Sequence, residues 1–439
     1  MTKTKKTPLL GWIICTIAAI FYCYEYLLRI EPSVMVPELM QAFQANATEL
    51  GILSAFFYFI YTPMQIVVGL LLDLYGPRRI LTLAIITCAL GSYIFSIADL
   101  LFVAAIGRLL IGFGSAFAFV SVLKLAATWL PKRFFALFVG LATALGMFGA
   151  MFGVVILSSL VNDIGWKQTM NIGTIIGIVL VPLIWLIIHD KPSEISSHHK
   201  VKEKKKTRSR YYVTFVGFIK ILKNPQMWLN GFIACSMYLS LSLFAELWCI
   251  PFLTSAYDLP DDKAAMACSM IYLGWLVGGP LIGYISDVTY SRKIPILLGC
   301  LFSAILVGFI IYLPQMNIKI LCLALFLFGV FSSAEILCFA VGTENSPKHL
   351  VATASAFTNC TLMLGGVTFQ PLIGKILDTV WTGEMLGEMR AYSTENYQLA
   401  LIVLPIALLI GFILTFWLRE TCKDTCDKKV TDEKLMVFK

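Results

Sequence analysis

Two stretches of the chain match each other and decide its architecture. Residues 69–79 read Gly-Leu-Leu-Leu-Asp-Leu-Tyr-Gly-Pro-Arg-Arg, and residues 283–293 read Gly-Tyr-Ile-Ser-Asp-Val-Thr-Tyr-Ser-Arg-Lys. The first glycine, the aspartate and the basic pair recur 214 residues apart, whereas Gly76 is replaced by Tyr290. Each stretch ends a long apolar segment. The sequence therefore predicts a duplicated chain with two equivalent halves.

The composition places the chain in a membrane. Of 439 residues, 59% are apolar and 14% are charged, and the mean hydropathy is +0.83. Soluble domains have about 45–50% apolar and roughly 25% charged residues. This composition excludes an ordinary soluble enzyme and a disordered protein. The net charge of +8 is compatible with nucleic-acid binding, but only one charge run supports it, so we expect no nucleic-acid partner.

Twelve segments are apolar and long enough to be membrane spans, since a helix needs about 20 such residues to cross the hydrocarbon core. The predicted fold is an all-α membrane protein whose twelve transmembrane helices form two pseudo-symmetric six-helix bundles. We expect an N-terminal bundle at 1–188, a basic linker at 189–226, a C-terminal bundle at 227–420 and a tail at 421–439. The predicted spans are 9–30, 49–73, 80–98, 101–128, 134–160, 168–188, 227–253, 264–287, 294–313, 319–343, 351–377 and 397–418.

The distribution of Lys and Arg predicts the orientation. With the N-terminus inside, 26 of the 34 basic residues lie on the cytoplasmic side and five on the outer side. The positive-inside rule therefore places both termini in the cytoplasm. The basic start of the chain runs into an apolar stretch that continues to about Ile30, which predicts an uncleaved first helix rather than a signal peptide. The lean loops favour the inner (plasma) membrane of a bacterium, and we expect a monomer.

Two polar segments leave alternatives open. The basic run at 200–210 in the central loop is either a solvated linker or a site for anionic lipid head groups. In the tail, Cys422 and Cys426 are at helical spacing, as a metal pair would be, but no His or further Cys lies nearby. The other ten cysteines lie in apolar segments, where cysteine behaves as a small hydrophobe. We therefore expect no metal and no cofactor.

The repeated stretches predict a gate on the cytoplasmic side. Their first glycines would let a neighbouring helix approach closely. Their aspartates end a helix, where the macrodipole disfavours negative charge, so they need a partner. The following arginines or a helix N-terminus could supply it. Such a cluster could latch the two bundles together and break when they rock. The gating candidates are Gly69, Asp73, Gly76, Arg78, Arg79, Gly283, Asp287, Arg292 and Lys293.

The stretch at 69–79 resembles the loop 2–3 signature of the major facilitator superfamily, and 283–293 resembles its loop 8–9 counterpart. Residues 108–114, Arg-Leu-Leu-Ile-Gly-Phe-Gly, resemble the Arg-x-x-x-Gly-x-Gly motif of that family. The resemblance implies a central cavity lined by spans 1, 4, 7 and 10 and alternating access by rocking of the bundles. Span 5 lacks the Gly-Pro pair of the drug-antiporter branches, which weakens an efflux role. Residues 24–35 and 244–252 look like those of the bacterial phagosomal transporters, which take up amino acids or nucleosides.

Ionisable residues at membrane depth are costly and are usually functional. Glu25 and Arg29 are spaced i,i+4 and can pair on one helix face. Glu246 and Glu335 have no basic residue nearby in the sequence and are candidates, with Glu25, to carry a proton. For Arg108 a structural tether between spans 1 and 4 is the alternative. The predicted substrate-binding residues are Arg29, Arg108, Lys124, Tyr22, Tyr26, Trp248 and Asn359.

The sequence favours a transporter over an enzyme. It contains no Walker loop, no Gly-x-Ser-x-Gly and no metal-ligand pattern. Basic residues in the first half and carboxylates in the second suit a zwitterion, so the main hypothesis is uptake of an amino acid or short peptide with protons. One alternative is a transporter of organic anions, such as a sugar acid or a carboxylate siderophore, in either direction. Another is a receptor-like or scaffold membrane protein that moves nothing.

Overall fold

The computed structural model describes residues 7–190, 219–313, 316–347, 350–387 and 389–421. Twelve helices in these residues are long and apolar enough to cross a membrane, which confirms the predicted fold class. Most of the linker and nearly all of the tail, including Cys422 and Cys426, lie outside the described residues. The first six spans are Leu9–Val34, Ala47–Tyr75, Pro77–Ser96, Leu101–Trp129, Arg133–Ile164 and Trp166–Ile187, with a short helix Val36–Phe43 between spans 1 and 2.

The second six spans follow the central loop. They are Pro225–Tyr257, Asp261–Val288, Lys293–Tyr312, Ile318–Glu344, Val351–Val380 and Thr394–Thr415. A two-stranded antiparallel hairpin joins spans 11 and 12, with β1 at Met385–Leu386 and β2 at Met389–Arg390. The twelve observed spans match the predicted ones to within a few residues, because a lipid-facing backbone must satisfy its own hydrogen bonds and so follows the apolar pattern.

Five of the spans are not continuous α-helices; span 12 consists of Thr394–Leu401 and Val403–Thr415, and the other four are spans 1, 4, 7 and 10. The helix of span 1 (Thr7–Ile30) continues as a 3₁₀ turn, Glu31–Val34, which contains Pro32. Span 4 consists of Leu101–Ser115 and Ala118–Trp129. Span 7 consists of Pro225–Leu239, a π-helix Ser240–Trp248 and Cys249–Tyr257; span 10 consists of Ile318–Ser332, a 3₁₀ turn Ser333–Glu335 and Ile336–Glu344. Spans 1, 4, 7 and 10 are the ones that the resemblance assigns to the cavity.

The π-helix of span 7 has its own hydrogen-bond support. Ser240 and Ser242 donate to the carbonyls of Met237 and Tyr238. The side-chain amide of Gln370, from span 11, donates to the carbonyl of Ser242 at 2.6 Å. A π-helix shifts the backbone ladder by one residue and commonly occurs at functional sites. Here the segment carries Glu246, one of the predicted proton-carrying residues.

Small residues let the helices within each half approach closely. A Cβ on Gly274 would meet the backbone of Gly329, and a Cβ on Gly329 would meet that of Gly274, where spans 8 and 10 cross. Gly91 and Gly107 have the same relation where spans 3 and 4 cross. Close backbone approach at small residues is the usual basis of helix packing in membranes. Large apolar side chains face outward around the bundle.

The two halves are closed against each other on the predicted outer side. Span 2 begins at Ala47, and a Cβ on Gly374 of span 11 would collide with the Ala47 carbonyl. The Asp378 carboxylate, also on span 11, accepts the Thr48 backbone N–H at 2.8 Å and the Thr48 hydroxyl at 2.5 Å. It also accepts the hydroxyl of Tyr392 at 2.6 Å. A carboxylate at a helix N-terminus is stabilised by the free N–H groups and the dipole.

One expectation about the repeated stretches is wrong in this conformation. A Cβ added to Gly69 or Gly283 would have no neighbouring atom within 4 Å. Neither glycine is therefore needed for close helix packing while the outer side is closed. The reason is geometric, since the tight contact between the halves lies at the opposite ends of their helices.

We predict that Gly374→Ala opens the outer contact. The added methyl group requires span 2 and span 11 to separate, and overpacking of this kind costs about 1–3 kcal/mol. Hydrogen exchange measured by mass spectrometry should show faster exchange at the start of span 2 and the end of span 11. Gly308→Ala is the matched control, because a Cβ added to Gly308, unlike one added to Gly374, would have no atom within 4 Å. Equal exchange in the two variants would contradict the prediction.

Candidate functional site

The centre of the molecule contains a buried ion pair on span 1. Arg29 is 2% exposed and Glu25 is fully buried. The Arg29 guanidinium contacts Glu25 Oε1 through Nε at 2.9 Å and through Nη2 at 2.5 Å. Its Nη1 donates to the Tyr238 hydroxyl of span 7 at 3.0 Å, so this arginine joins the two halves. The i,i+4 spacing in the sequence predicted the pair; the Tyr238 contact has no sequence signal.

Aromatic rings surround the same guanidinium. Arg29 Cζ lies 4.7 Å from the centre of the Tyr26 ring, 5.1 Å from that of Tyr61 and 5.2 Å from that of Phe57. Ring faces at these distances attract a cation. The Tyr61 hydroxyl interacts with Asn359 of span 11, and Tyr22 lies against Tyr26 with their hydroxyls 3.5 Å apart. The arginine therefore has a wall of rings and hydroxyl groups around it.

A second contact between the halves lies beside this pair. The Tyr58 hydroxyl of span 2 donates to Glu246 Oε2 in the π-helix of span 7. Glu246 Oε1 is buried and has no hydrogen-bond partner among the described residues. Glu246 is also within electrostatic range of Arg29 and Glu25. The structure thus brings together Glu25, Arg29 and Glu246 with the predicted residues Tyr22, Tyr26 and Asn359, from both halves, at one site.

Two further predicted residues are placed around this site. Glu335, 3% exposed, lies in the 3₁₀ turn of span 10 within electrostatic range of Tyr238, and its Oε1 has no partner among the described groups. Trp248 is fully buried at the end of the π-helix, and its indole N–H is likewise without a described partner. Glu335 is the third carboxylate of the site, after Glu25 and Glu246, and comes from the C-terminal half.

Arg108, on span 4, holds the end of the span 1 helix through hydrogen bonds to its backbone. Its Nη1 donates to the carbonyl of Leu28 at 2.9 Å and its Nη2 to the carbonyl of Arg29 at 3.3 Å. These carbonyls belong to the last turn of the Thr7–Ile30 helix, where intrahelical partners run out. In this conformation Arg108 is the structural tether that the sequence offered as the alternative to substrate binding. Close by is Glu31, a buried carboxylate that the site prediction missed.

Lys124 lies away from the Arg29 site. Its ammonium group is 3.0 Å from the Asp73 carboxylate and also donates to the Leu72 carbonyl at the end of span 2. The expectation that the following arginines supply the charge beside Asp73 therefore missed Lys124, from span 4. Arg78 instead stacks on Trp185 at 4.3 Å and donates through Nε to its carbonyl at 2.8 Å. Gly76 has a φ of +81°, a backbone conformation that residues with a side chain rarely adopt.

The repeat in the C-terminal half is arranged differently. Arg292 pairs with Asp287 at 2.6 Å and with Glu344, at the end of span 10, at 3.3 Å. The Glu420 carboxylate accepts the backbone N–H groups of Arg292 and Lys293, and Lys293 Nζ donates to the Phe416 carbonyl. The contacts described here stay within one half, as do the contacts given above for Asp73 and Arg78. They anchor loops here, and a latch between the bundles remains a prediction for another state.

Comparison with known proteins identifies the family. The family model described as "Major Facilitator Superfamily" matches residues 14–370 and 250–431. The chain belongs to this superfamily. It is therefore a secondary transporter by family and not an enzyme, as the signatures at 69–79 and 108–114 indicated.

Several relatives cover nearly the whole chain. The "Uncharacterized transporter YybO" of Bacillus subtilis is 23% identical over 94% of both chains. The "Probable galactarate/D-glucarate transporter GarP" of Escherichia coli is 24% identical over 85% of this chain and 90% of its own. A bacterial homologue of the human lysosomal transporter Spinster, solved facing inward and unoccupied, has a TM-score of 0.75 at 15% identity, covering 95% of this chain and 98% of its own. This structural likeness shows the fold alone.

We predict that Lys124 and Asp73 act as one unit in stability. Each of Lys124→Met and Asp73→Asn removes the same half-exposed ion pair, so the double variant should cost less than the sum of the two. A coupling of about 0.5–1 kcal/mol is expected for such a pair. Thermal unfolding of the four proteins of the cycle measures it. The control cycle combines Lys124→Met with Asp99→Asn, because Asp99 pairs with Lys167 and not with Lys124. Additive costs in both cycles would contradict the prediction.

Proposed function

We propose that this protein is a proton-coupled transporter of a small organic anion of the sugar-acid type. The observation that carries the proposal is the Arg29 guanidinium, buried between the halves and held by a single carboxylate. A guanidinium binds a carboxylate through two parallel hydrogen bonds, which gives it both strength and orientation. The name of the Escherichia coli relative, a galactarate/D-glucarate transporter, supports the same substrate class.

The name of the Escherichia coli relative favours an anion over the zwitterion of the main sequence hypothesis. An amino acid would need a carboxylate for its ammonium group as well as a cation for its carboxylate. In this site Glu25 is bound to Arg29 and one oxygen of Glu246 to Tyr58, so Glu335 is the carboxylate best placed to bind an ammonium group. The surrounding hydroxyl and amide groups instead suit a polyol chain. Those groups are on Tyr22, Tyr26, Tyr61, Tyr238 and Asn359.

Competition for Arg29 couples the proton to the substrate. Glu25 and the substrate carboxylate need the same guanidinium N–H groups. Protonation of Glu25 removes its charge, releases Nε and Nη2 of Arg29, and lets the incoming carboxylate take them. For a monocarboxylate such as D-glucuronate, the proton and the anion then occupy the site together with the same net charge as the empty site, whereas a dicarboxylate such as galactarate adds one negative charge. A conformational switch that is easier when both or neither are bound produces symport.

The closed outer contact suggests which step of the transport cycle this conformation represents. With spans 2 and 11 packed at the predicted outer end, we expect the site to exchange with the other side of the membrane. In the positive-inside orientation that side is the cytoplasm, and this conformation is the releasing state of an importer. A proton that leaves Glu25 into a less acidic cytoplasm lets the carboxylate reclaim Arg29 and expel the substrate.

Ligand-dependent thermal stability tests the substrate class. We expect galactarate, D-glucarate and D-glucuronate to stabilise the purified protein, more strongly at acidic pH, where Glu25 is more readily protonated. A ligand at 100 times its Kd adds about 2.7 kcal/mol to the folded state. Galactitol, which has the same hydroxyl pattern as galactarate without the carboxylates, is the matched control. Stabilisation by amino acids or dipeptides alone would contradict the proposal.

Two variants test the coupling in proteoliposomes. Glu25→Gln should keep anion binding and exchange, lose the pH dependence of binding, and reduce proton-driven accumulation at least tenfold. Arg29→Gln should lose anion binding altogether. Lys167→Gln, on the surface of the same half, should behave as the wild type. Accumulation by Glu25→Gln at the wild-type level would contradict the role of Glu25. Binding without any flux in the wild type would favour the receptor-like alternative.

A further inference from the structure

Glu31 is a buried carboxylate that the proposed exchange at Arg29 does not use. It opens the 3₁₀ turn of span 1 and is 1% exposed. Neither of its oxygens has a hydrogen-bond partner among the described residues. Oε1 lies against span 6, where a Cβ on Gly173 would come within 2.9 Å of it. An ionised carboxylate without hydrogen bonds in such a place is strongly disfavoured.

The groups that face Glu31 come from three spans. Tyr24 of span 1 and Cys88 of span 3 are within electrostatic range. The Tyr24 hydroxyl donates to the Gly173 carbonyl at 2.8 Å, and the Cys88 thiol donates to the Ile111 carbonyl, so neither hydrogen is directed at Glu31. The cation in range is Arg108 of span 4.

One nitrogen of the Arg108 guanidinium has no hydrogen-bond partner among the described residues. Its Nη1 and Nη2 are bound to the carbonyls of Leu28 and Arg29, while its buried Nε has no partner among the described residues. An unsatisfied charged donor and an unsatisfied carboxylate therefore lie near each other without being joined. This is the arrangement expected if the carboxylate is neutral in this conformation and the arginine is held elsewhere.

We propose that Glu31 is a proton-binding residue of the transport cycle. It carries a proton in the outer-closed conformation and pairs with Arg108 when the proton leaves. The O–H bond of the Glu31 carboxyl group breaks, the proton passes to water on the open side of the membrane, and Arg108 keeps its charge. This inference rests on the proposed function and adds a second proton site to it.

The consequence for the substrate site follows from what Arg108 holds. If Arg108 turns toward an ionised Glu31, it gives up the carbonyls of Leu28 and Arg29, which form the last turn of the span 1 helix. That turn carries the Arg29 side chain. Loss or gain of a proton at Glu31 thus changes how firmly the substrate-binding guanidinium is positioned. Glu31 is a positioning residue, since it acts through Arg108 and not on the substrate.

Infrared difference spectroscopy tests the proton site without any substrate. The wild type in lipid should show the C=O stretching band of a protonated carboxylic acid, and Glu31→Gln should lose one component of it. Glu31→Asp should keep that component at a shifted frequency. Glu384→Gln, in an exposed loop, is the matched control and should leave the band unchanged. A band identical in wild type and Glu31→Gln would overturn the proposal.

Transport assays test the role in the cycle. Because Gln mimics the protonated carboxyl group, Glu31→Gln should fold, bind galactarate and exchange it as the wild type does. Its proton-driven accumulation should fall at least tenfold. Wild-type accumulation by Glu31→Gln would overturn the proposal while leaving the sugar-acid function intact. If galactarate does not bind the wild type, the proposed function fails, and the infrared result still decides whether Glu31 holds a proton.

Discussion

A guanidinium group at membrane depth must be satisfied inside the protein, and the arrangement around Arg29 follows from that constraint. Moving such a charge to the bilayer centre is costly, and partners inside the bundle reduce the cost. Arg29 obtains them from Glu25 on its own helix, from Tyr238 on the other half and from three aromatic rings. In the proposed mechanism one of these partners, the Glu25 carboxylate, is replaced by a substrate carboxylate. A buried ion pair of this kind is a poor source of stability but a suitable switch.

The contacts that hold the halves together are also exchangeable. On the predicted outer side the Asp378 carboxylate caps the start of span 2 with short hydrogen bonds, and at mid-membrane Tyr58 donates to Glu246. In a low-dielectric interior these bonds are strong while they last, and each end needs a new partner once the halves part. Water entering the opened side can supply it. Closure of one side is therefore compatible with opening of the other without a large net change in free energy.

The fold and part of the site were predictable from the sequence for different reasons. The spans follow from hydropathy, because lipid imposes the same requirement on every backbone group. The Glu25–Arg29 pair follows from helix geometry, which is local. The pairing of Lys124 with Asp73 depends on how spans 2 and 4 pack against each other, and no short-range sequence pattern predicts it. The same holds for Tyr238. Glu31 was missed although it precedes Pro32 at the end of a span, a position where a break in the helix buries a carboxylate within the half.

The repeat itself explains why the site is asymmetric. At the offset of 214 residues that relates the two signatures, the counterpart of Lys124 is Cys338, and that of Arg108 is Cys322. The second half has no cation at these positions. Asp287 pairs with Arg292 in its own loop, whereas Asp73 pairs with Lys124 of span 4. The proposed substrate-binding cation, Arg29, and its tether, Arg108, therefore lie in the N-terminal half, and the C-terminal half supplies a hydroxyl group and carboxylates. Such a division suits an anion that is fixed by one half and gated by the other.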